Sequence, residues 1–482
     1  MNPLSIHREF WQKQPALLFA ICLLIGTSSF LYWEAPCNWL WPLLWSAYLI
    51  TIDKSKGIVL ILAGVLYCFC LYPKAPSGNR GLFSIASLQP HHSPFQKSLV
   101  YKGSLSIDGQ TVPCSIFHSG KNHPPANCNY YLEGKLVQRG PHNYLFKASH
   151  WQAVDKTWSI AEFRYQIKEQ FRKFLSKKMK SAPFLGALIT GDVEERTLRY
   201  EFGRLGLQHI LAISGFHFAI LIAFCSFFIG LFLPFRAKII LLLLIINLYF
   251  IFVGALPAVQ RSWITALFYL IGKLIGRHSS GLNILGVSLL IELIYNPLAS
   301  SSLGFQLSFL SCSGILLLKP LFDKPLQYLL PRRNPFSLNT ISQHGYLMLS
   351  FIRQGITIML AVNVAILPLL LYHFHKFPLL SLFYNLFFPF LVGISLFSLL
   401  IALLLFFLFP PLGNIFFKIT DSFTLQILEL ISYPPIKLDY SLTVTSLPAW
   451  IIPLYLFGLF CLTNTPISSK ILSSYGGRSS VG

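Results

Sequence analysis

Long apolar runs alternate with short polar loops over most of the chain. A helix needs about 20 apolar residues to cross a bilayer, and shorter runs are tolerated inside a bundle. The pattern therefore predicts a mostly α fold, a polytopic transmembrane helix bundle of about ten to twelve spans. The runs lie near residues 15–33, 38–52, 57–72, 209–233, 237–255, 259–276, 281–295, 301–318, 347–372, 379–409 and 447–463. The run at 379–409 has room for two spans, and residues 412–436 are either a span or an interfacial helix.

A polar segment, residues 73–208, interrupts this pattern after the third run. Its first part, 73–158, alternates apolar and polar residues in short stretches separated by turn formers, which predicts a small inserted β domain. Its second part, 159–208, is a basic linker that begins with an amphipathic helix over 160–180. The predicted domains are an N-terminal membrane segment with three spans (1–72), the β domain (73–158), the linker (159–208), a membrane domain (209–465) and a C-terminal tail (466–482).

Basic residues in the short loops indicate the orientation of the chain, since lysine and arginine mark the cytoplasmic side. Arg8 and Lys13 precede the first run, and Lys54 and Lys56 separate the second run from the third. We therefore expect a cytoplasmic N-terminus and an extracytoplasmic β domain. No small-residue cleavage site follows the first run, so we expect that run to remain as a helix.

Composition and charge sharpen this picture. Hydrophobic residues make up 54% of the chain and charged residues 11%, whereas soluble domains carry about a quarter charged residues. The net charge is +21, part of which is the positive-inside bias of membrane proteins. Residues 73–208 hold 19 Lys and Arg against 9 Asp and Glu, a net of +10, on the side where that bias is not required. A polyanion would be attracted there, with an affinity that falls as salt rises.

The helix of the linker carries candidate nucleic-acid-binding side chains. Its apolar residues share one side, and the rest of its surface is strongly basic. A helix of this kind suits the membrane interface, where it would lie on anionic headgroups, and on composition this is favoured over direct DNA contact. Both interpretations can hold together. The candidate residues are Arg164, Lys168, Arg172, Lys173, Lys177 and Lys178.

Cysteine and histidine patterns bear on redox and metal chemistry. Cys114 and Cys128 are the only cysteines of the predicted β domain and form a candidate disulfide, with two free thiols as the alternative. The other cysteines lie in or beside apolar runs and lack metal-ligand spacing. His373 and His375 lack the Asp-His that would follow in a hydrolase metal motif. We therefore predict no metal and no cofactor.

Polar residues inside the apolar runs are candidates for lining a water-filled path, because an unsatisfied polar group in hydrocarbon costs several kcal/mol. Arg261 and Glu292 fall at matching depths on the predicted topology, and we expect them to pair or to share a wet cavity. The alternative for each residue is an interhelical hydrogen bond that only stabilises the bundle. The candidates are His209, Ser214, His217, Arg261, Glu292, Asn296, Gln306, Ser308 and Asn385.

Several of these residues lie in motifs that resemble, in order and spacing, those of the ComEC family of DNA-uptake channel proteins. The motifs include Gly191-Asp192, the run Leu207-Gln-His-Ile-Leu-Ala-Ile-Ser-Gly-Phe-His217, and Pro257-Ala-Val-Gln-Arg-Ser262. Further matches follow at 283–297, at Gly304-Phe-Gln-Leu-Ser-Phe309 and at Phe383-Tyr-Asn-Leu-Phe-Phe-Pro389. The β domain is similar to the family's external OB-type domain in its position in the chain rather than in its motifs.

The resemblance implies a channel of the inner cell membrane that passes single-stranded DNA into the cytoplasm during natural transformation. It also implies an external DNA receptor and a cytoplasmic ATP-driven motor as partners, besides the lipid bilayer, and a homo-oligomer is left open. The C-terminal metallo-β-lactamase-like domain of many relatives is expected to be absent. The chain has no Gly-rich phosphate loop, so we expect no ATPase and no catalytic residues. The alternatives are a secondary transporter for a smaller anionic solute and, less favoured, an intramembrane enzyme using His209, Ser214 and His217.

Overall fold

A computed structural model describes most of the chain. The described residues are 3–32, 38–71, 76, 78–92, 97–118, 124–140, 143–156, 158–277, 280–331, 333, 339–432 and 440–463. The predicted C-terminal tail, 466–482, lies outside them, so what is predicted for the tail stays a prediction.

The described residues are mostly helical, in agreement with the predicted fold class. The helices are α1 (Pro3–Lys13), α2 (Pro15–Leu31), α3 (Leu40–Thr51), α4 (Lys56–Leu71), α5 (Ile160–Ser176), α6 (Ala182–Thr190), α7 (Arg196–Arg204), α8 (Gln208–Leu211), α9 (Gly215–Gly230), α10 (Phe235–Val253), α11 (Pro257–Leu274), α12 (Gly281–Tyr295), α13 (Leu303–Leu329), α14 (Thr340–Phe374), α15 (Leu380–Leu408), α16 (Pro410–Ser432) and α17 (Ile451–Thr463). The strands are β1 (Arg80–His92), β2 (Lys97–Ile107), β3 (Gln110–His118), β4 (Cys128–Gly140), β5 (Asn143–Lys156), β6 (Lys376–Pro378) and β7 (Ser441–Thr443).

The chain forms two compact units, each assembled from segments that are distant in sequence. The first unit consists of Met1–Cys70, Ile271–Phe390 and Pro435–Gly482, and the second of Leu71–Leu270 and Leu391–Pro434. The predicted β domain and basic linker both belong to the second unit.

Long apolar helices make this a multi-pass membrane protein. In the described part of the chain α10, α13, α14 and α15 are each long and apolar enough to span a bilayer, and the bent pair α1–α2 is a further candidate. Shorter apolar helices are α3, α4, α9, α12 and α17. The predicted number of ten to twelve spans stays a prediction.

Two of the predicted runs have the following forms in the structure. The run at 379–409 is one continuous helix, α15, of 29 residues, because Pro389 within it does not end the helix. The run predicted to begin at 209 is interrupted: α8 ends at Leu211, and the long helix starts only at Gly215.

In the first unit, an antiparallel pair of long helices holds a buried ion pair that the sequence patterns did not predict. The α14 residue Arg353 lies 3.3 Å from the carboxylate of Asp323 on α13, and both side chains are almost fully buried. Arg353 also donates to the Leu330 carbonyl oxygen (2.7 Å), and Gln327 donates to Asp323 (2.6 Å). Each partner thus has one further hydrogen bond, which offsets part of the desolvation cost of a buried ion pair.

In the second unit, the predicted β domain is a closed five-stranded barrel in the order β1-β2-β3-β5-β4. All neighbours are antiparallel except β3 and β5, which are parallel. The core contains Phe83, Tyr101, Ile116 and Phe146, each with at most 1% of its surface exposed. The Tyr101 hydroxyl donates to the Pro124 carbonyl oxygen at 2.8 Å, so this side chain serves the core rather than an outer surface.

The candidate disulfide of this domain was wrong, because Cys114 and Cys128 are free thiols buried in the barrel core. Cys114 lies on β3 and Cys128 begins β4, and the barrel order places β5 between these two strands. The two cysteines therefore belong to strands that are not neighbours. Burial raises the pKa of the Cys114 thiol to about 12.

Helix α5 closes one end of the barrel with its N-terminal turns. Ala161 is part of the barrel core, and Tyr165 packs against it. The buried carboxylate of Glu162 accepts a hydrogen bond from the backbone N–H of Ala126 at 2.8 Å. Ser159 caps the helix through its side-chain oxygen, which accepts from the Ala161 N–H. The helix ends at Ser176, before the predicted Lys180.

One charged residue of the stretch at 412–436, predicted as a span or an interfacial helix, has a structural role on α16. Asp421 accepts hydrogen bonds from the backbone N–H groups of Lys180 (3.1 Å) and Ser181 (2.8 Å), and from the Ser181 hydroxyl (2.7 Å). These donors lie at the start of α6, so the carboxylate supplies that helix with an N-terminal anion.

Candidate functional site

The interruption between α8 and α9 places polar groups beside apolar helices. Residues Ala212 and Ser214 have extended backbone conformations, so the chain leaves α8 and begins α9 anew at Gly215. The Ser214 side chain accepts a hydrogen bond from the Phe216 N–H at 3.3 Å. His217 completes a capping box, because its Nδ1 accepts from the Ser214 N–H at 3.2 Å.

This hydrogen bond fixes the tautomer of His217. Since Nδ1 accepts from a backbone N–H, the proton of the neutral imidazole is on Nε2. The residue is 3% exposed, and Nε2 has no hydrogen-bond partner in the part of the chain that the structure describes. The ring thus carries a buried donor that is available for an acceptor.

Helix α11 brings a guanidinium group to the same place. An ideal Cβ built on Gly215 would lie 3.6 Å from the Ser262 hydroxyl and 3.8 Å from Nη2 of Arg261. Arg261 and Ser262 are both buried, and Arg261 donates to Ser262 at 3.4 Å. Three predicted residues, Ser214, His217 and Arg261, are therefore brought together at the N-terminus of α9.

Two glycines allow three sequence motifs to meet beside this cluster. Gly191 ends α6 with φ +78°, and a Cβ there would contact Ile213 and Val253. Gly254 ends α10 with φ +99°, and its Cβ position lies against the guanidinium of Arg164. Both glycines have the positive φ that other residues rarely adopt. The motifs at 191–192, 207–217 and 257–262 are thus neighbours in space.

A network of ion pairs is built on the buried carboxylate of Asp192, the residue after Gly191. Asp192 lies 3.2 Å from Nζ of Lys168 and 3.5 Å from Nη1 of Arg172. Arg172 also pairs with Glu169 and Glu194, at 2.8 Å each. Asp192 belongs to one of the sequence motifs but was not a predicted site residue. Its partners, Lys168 and Arg172, lie on α5, and the sequence patterns did not relate that helix to Asp192.

Two basic side chains of α5 also bind the C-terminal end of α10. Lys168 donates to the Val253 carbonyl oxygen at 2.9 Å, and Arg164 donates to the Ile251 carbonyl oxygen at 2.7 Å. The last carbonyls of a helix have no partner within the helix and carry partial negative charge, so cations there are stabilising.

These contacts correct the interpretation of the linker helix. Lys168 is buried and Arg172 is half-buried, both pair with acidic residues of the protein, and Arg164 is bound to α10, so these side chains have structural contacts, and DNA contact by them stays a prediction. Lys178 donates to Asn414 at 2.9 Å and lies over the ring of Phe406. Lys173 and Lys177 are exposed, and for them DNA contact stays a prediction.

Burial and charge shift the titration of this network, which lies outside the spans. Burial lowers the pKa of Lys168, and the charge of Asp192 opposes that shift. Burial alone would raise the pKa of Glu169, but the hydrogen bond and charge of Arg172, together with Lys173, hold it below the ordinary value.

Of the remaining predicted residues, one lies in the second unit and the others lie in the first unit. His209 is exposed on α8 of the second unit. In the first unit, Asn296 caps the short 3-10 helix Pro297–Ser301 by accepting from the Leu298 N–H (3.2 Å), and Gln306 donates to the Ser300 carbonyl oxygen (2.9 Å).

The other first-unit candidates differ in burial. Glu292 is buried, and Ser308 and Asn385 are half-buried. The expected pairing of Arg261 with Glu292 stays a prediction, as these residues belong to different units. No group of three or more potential metal ligands occurs among the residues for which the structure gives positions.

Comparisons with known proteins place the chain in a family. The family model described as "Competence protein" matches residues 188–467. The chain is 28% identical over 304 residues to ComE operon protein 3 of Bacillus subtilis (strain 168), in a match that covers 60% of this chain and 36% of that relative. No solved structure matches the chain. Since the family model covers more than half of the sequence and contains the junction of motifs, the chain belongs to the competence protein family, the ComEC family.

Proposed function

We propose that the protein is a channel of the cell membrane that passes single-stranded DNA into the cytoplasm in natural transformation. Membership of the competence family supports DNA as the substrate. The observation that carries the channel role is the group of Ser214, His217 and Arg261 at an interrupted apolar helix. A DNA strand crossing hydrocarbon needs its phosphates matched by cations and hydrogen-bond donors, and this group supplies both.

The barrel supports an outer binding domain for single-stranded DNA. A closed five-stranded barrel in the order β1-β2-β3-β5-β4 is consistent with an OB-type fold, which binds oligonucleotides on its second and third strands. On that side Lys102 and Phe117 are exposed, and a cation beside an aromatic ring suits a stacked base and its phosphate. In this proposal the barrel is extracytoplasmic, and a DNA receptor and an ATP-driven motor act with the channel.

Deletion of the gene tests this proposal. Fluorescent double-stranded DNA is followed in deleted cells and in cells complemented with the full chain. We expect DNA to accumulate outside the inner membrane of the deleted cells and none to reach the cytoplasm, with entry restored by complementation. Cytoplasmic DNA at the same level in both strains would reject the channel.

A further inference from the structure

We propose that the N-terminus of α9, together with His217 and Arg261, binds a phosphate group of the DNA strand as it passes. This inference rests on the proposed function and gives it a defined contact. The group bound there is a diester phosphate, which carries one negative charge and offers only acceptor oxygens.

The helix supplies the first part of the site. α9 has 16 residues, and no acidic side chain lies in its first turn. The first backbone N–H groups of a helix carry partial positive charge and bind anions. Ser214 already accepts from the Phe216 N–H, so the helix contributes its partial positive charge to the site, and Gly215 places no side chain over that end.

The imidazole supplies an independent observation. His217 is held at this N-terminus by the hydrogen bond from the Ser214 N–H to Nδ1. Its Nε2 is therefore a protonated donor, and it is buried without a partner among the described residues. Leaving a buried donor unsatisfied is unfavourable, so the site favours a ligand that presents an acceptor oxygen.

Arg261 supplies the charge. Its Nη2 lies 3.8 Å from the Cβ position of Gly215, the first residue of α9, and His217 follows two residues later in the first turn of that helix. The guanidinium and the imidazole Nε2 are the donors of this site, because the Ser262 hydroxyl already donates to the Ala258 carbonyl oxygen at 2.7 Å. A donor set of this composition matches phosphate oxygens and provides no means of recognising a base edge.

The site is accessible from the break in the helix. Ala212 is exposed, Phe216 is 40% exposed, and Ser214 and Gly215 are half-buried. α9 is about 24 Å long at 1.5 Å per residue, which is shorter than the hydrocarbon layer of about 30 Å. On the proposed topology α9 begins on the outer side of the membrane, from which an entering strand arrives.

A matched pair of variants separates charge from helix capping. Asp and Asn are both good N-caps, so Ser214→Asp and Ser214→Asn preserve the start of α9 but differ by one negative charge at the phosphate position. The control for the same charge elsewhere is Ser159→Asp at the N-cap of α5. Expression level and thermal unfolding are measured for all three variants of the full chain.

Two readouts are compared. The first is binding of a fluorescent single-stranded oligonucleotide to the full chain in nanodiscs of neutral lipid, at several salt concentrations. We expect Ser214→Asp to bind the oligonucleotide about tenfold more weakly than Ser214→Asn. The slope of the logarithm of the binding constant against the logarithm of salt concentration should be smaller by about one, as for loss of one phosphate contact. Ser159→Asp should bind as the unmodified chain does. The second is DNA entry into cells, which should fall in the same order.

Three outcomes would overturn the inference. If Ser214→Asp and Ser214→Asn are equal in binding and in entry, no phosphate lies at this position. If a methylphosphonate oligonucleotide, which has no backbone charge, discriminates between them as strongly, the contact is not to phosphate. If inorganic phosphate binds and is lost in Ser214→Asp while DNA entry is unaffected, the site takes the free anion. Failure here leaves the channel intact whenever deletion of the gene still abolishes entry, so the two proposals are tested separately.

Discussion

Individual charged residues connect elements of the second unit to one another. Lys168 and Arg172 share Asp192 inside the second unit, and each basic side chain has a further partner there. A buried ion pair is weak evidence for stability, since its desolvation cost offsets the attraction, but removing one partner is strongly destabilising. We interpret this network as a device that fixes α5 on the end of α10.

The barrel cysteines give a prediction at the same scale. The thiolate is the reactive form of cysteine, and burial holds the pKa of Cys114 near 12. In the folded protein at pH 8, Cys114 and Cys128 should resist N-ethylmaleimide and should react fully after denaturation without reductant. Raising the pH to 10 should add little reaction at Cys114, because the pH is still below the pKa of that thiol. The measurement is peptide mapping with light reagent before and heavy reagent after denaturation. A linked Cys114–Cys128 peptide in the unreduced digest would contradict the structure.

At the scale of elements, α6 is held at both ends. Its N-terminus receives the carboxylate of Asp421, and its C-terminus closes at Gly191, beside the motif junction. The position of Asp192 therefore depends on a residue more than two hundred positions away in the sequence.

Replacing Asp421 tests this arrangement. Asp421→Ala leaves three donors at the start of α6 without their acceptor, and we expect it to lower the free energy of unfolding by about 1–3 kcal/mol. Asp421→Asn retains one acceptor oxygen and should cost less. Thermal unfolding of the purified protein in detergent, followed by tryptophan fluorescence, measures both, with the exposed neighbour Ser422→Ala as control. Equal stability of Asp421→Ala and the unmodified chain would show that the contact contributes nothing.

The elements also show what sequence patterns can predict. Apolar runs located most of the membrane helices, and alternation located the barrel, because both patterns reflect burial of one face or of a whole element. The burial of Lys168 on α5 was not predicted. A periodicity argument places lysine in solvent and has no information on Asp192 or on the carbonyls of α10, which lie far away in the chain.

At the scale of the whole molecule, the fold brings together some of the predicted site residues but not all of them. Ser214, His217 and Arg261 converge, and the role of Gly215 in breaking the helix was within reach of the sequence. The contribution of Ser262 and the proximity of Gly191 and Gly254 required the packing of α6, α9, α10 and α11. Asn296 and Gln306 have local capping roles, which fits the alternative of structural hydrogen bonds rather than a path lining.

Site-specific photo-crosslinking tests the central claim, that the passing DNA strand touches the N-terminus of α9. A benzophenone amino acid replaces Phe216, which is exposed next to the cluster, and in a control it replaces Leu248, which is 57% exposed on the apolar side of α10. Cells taking up labelled DNA are illuminated, and the DNA attached to the protein is measured. The account predicts attachment from position 216 and little from position 248. No attachment from 216, or equal attachment from both positions, would contradict it.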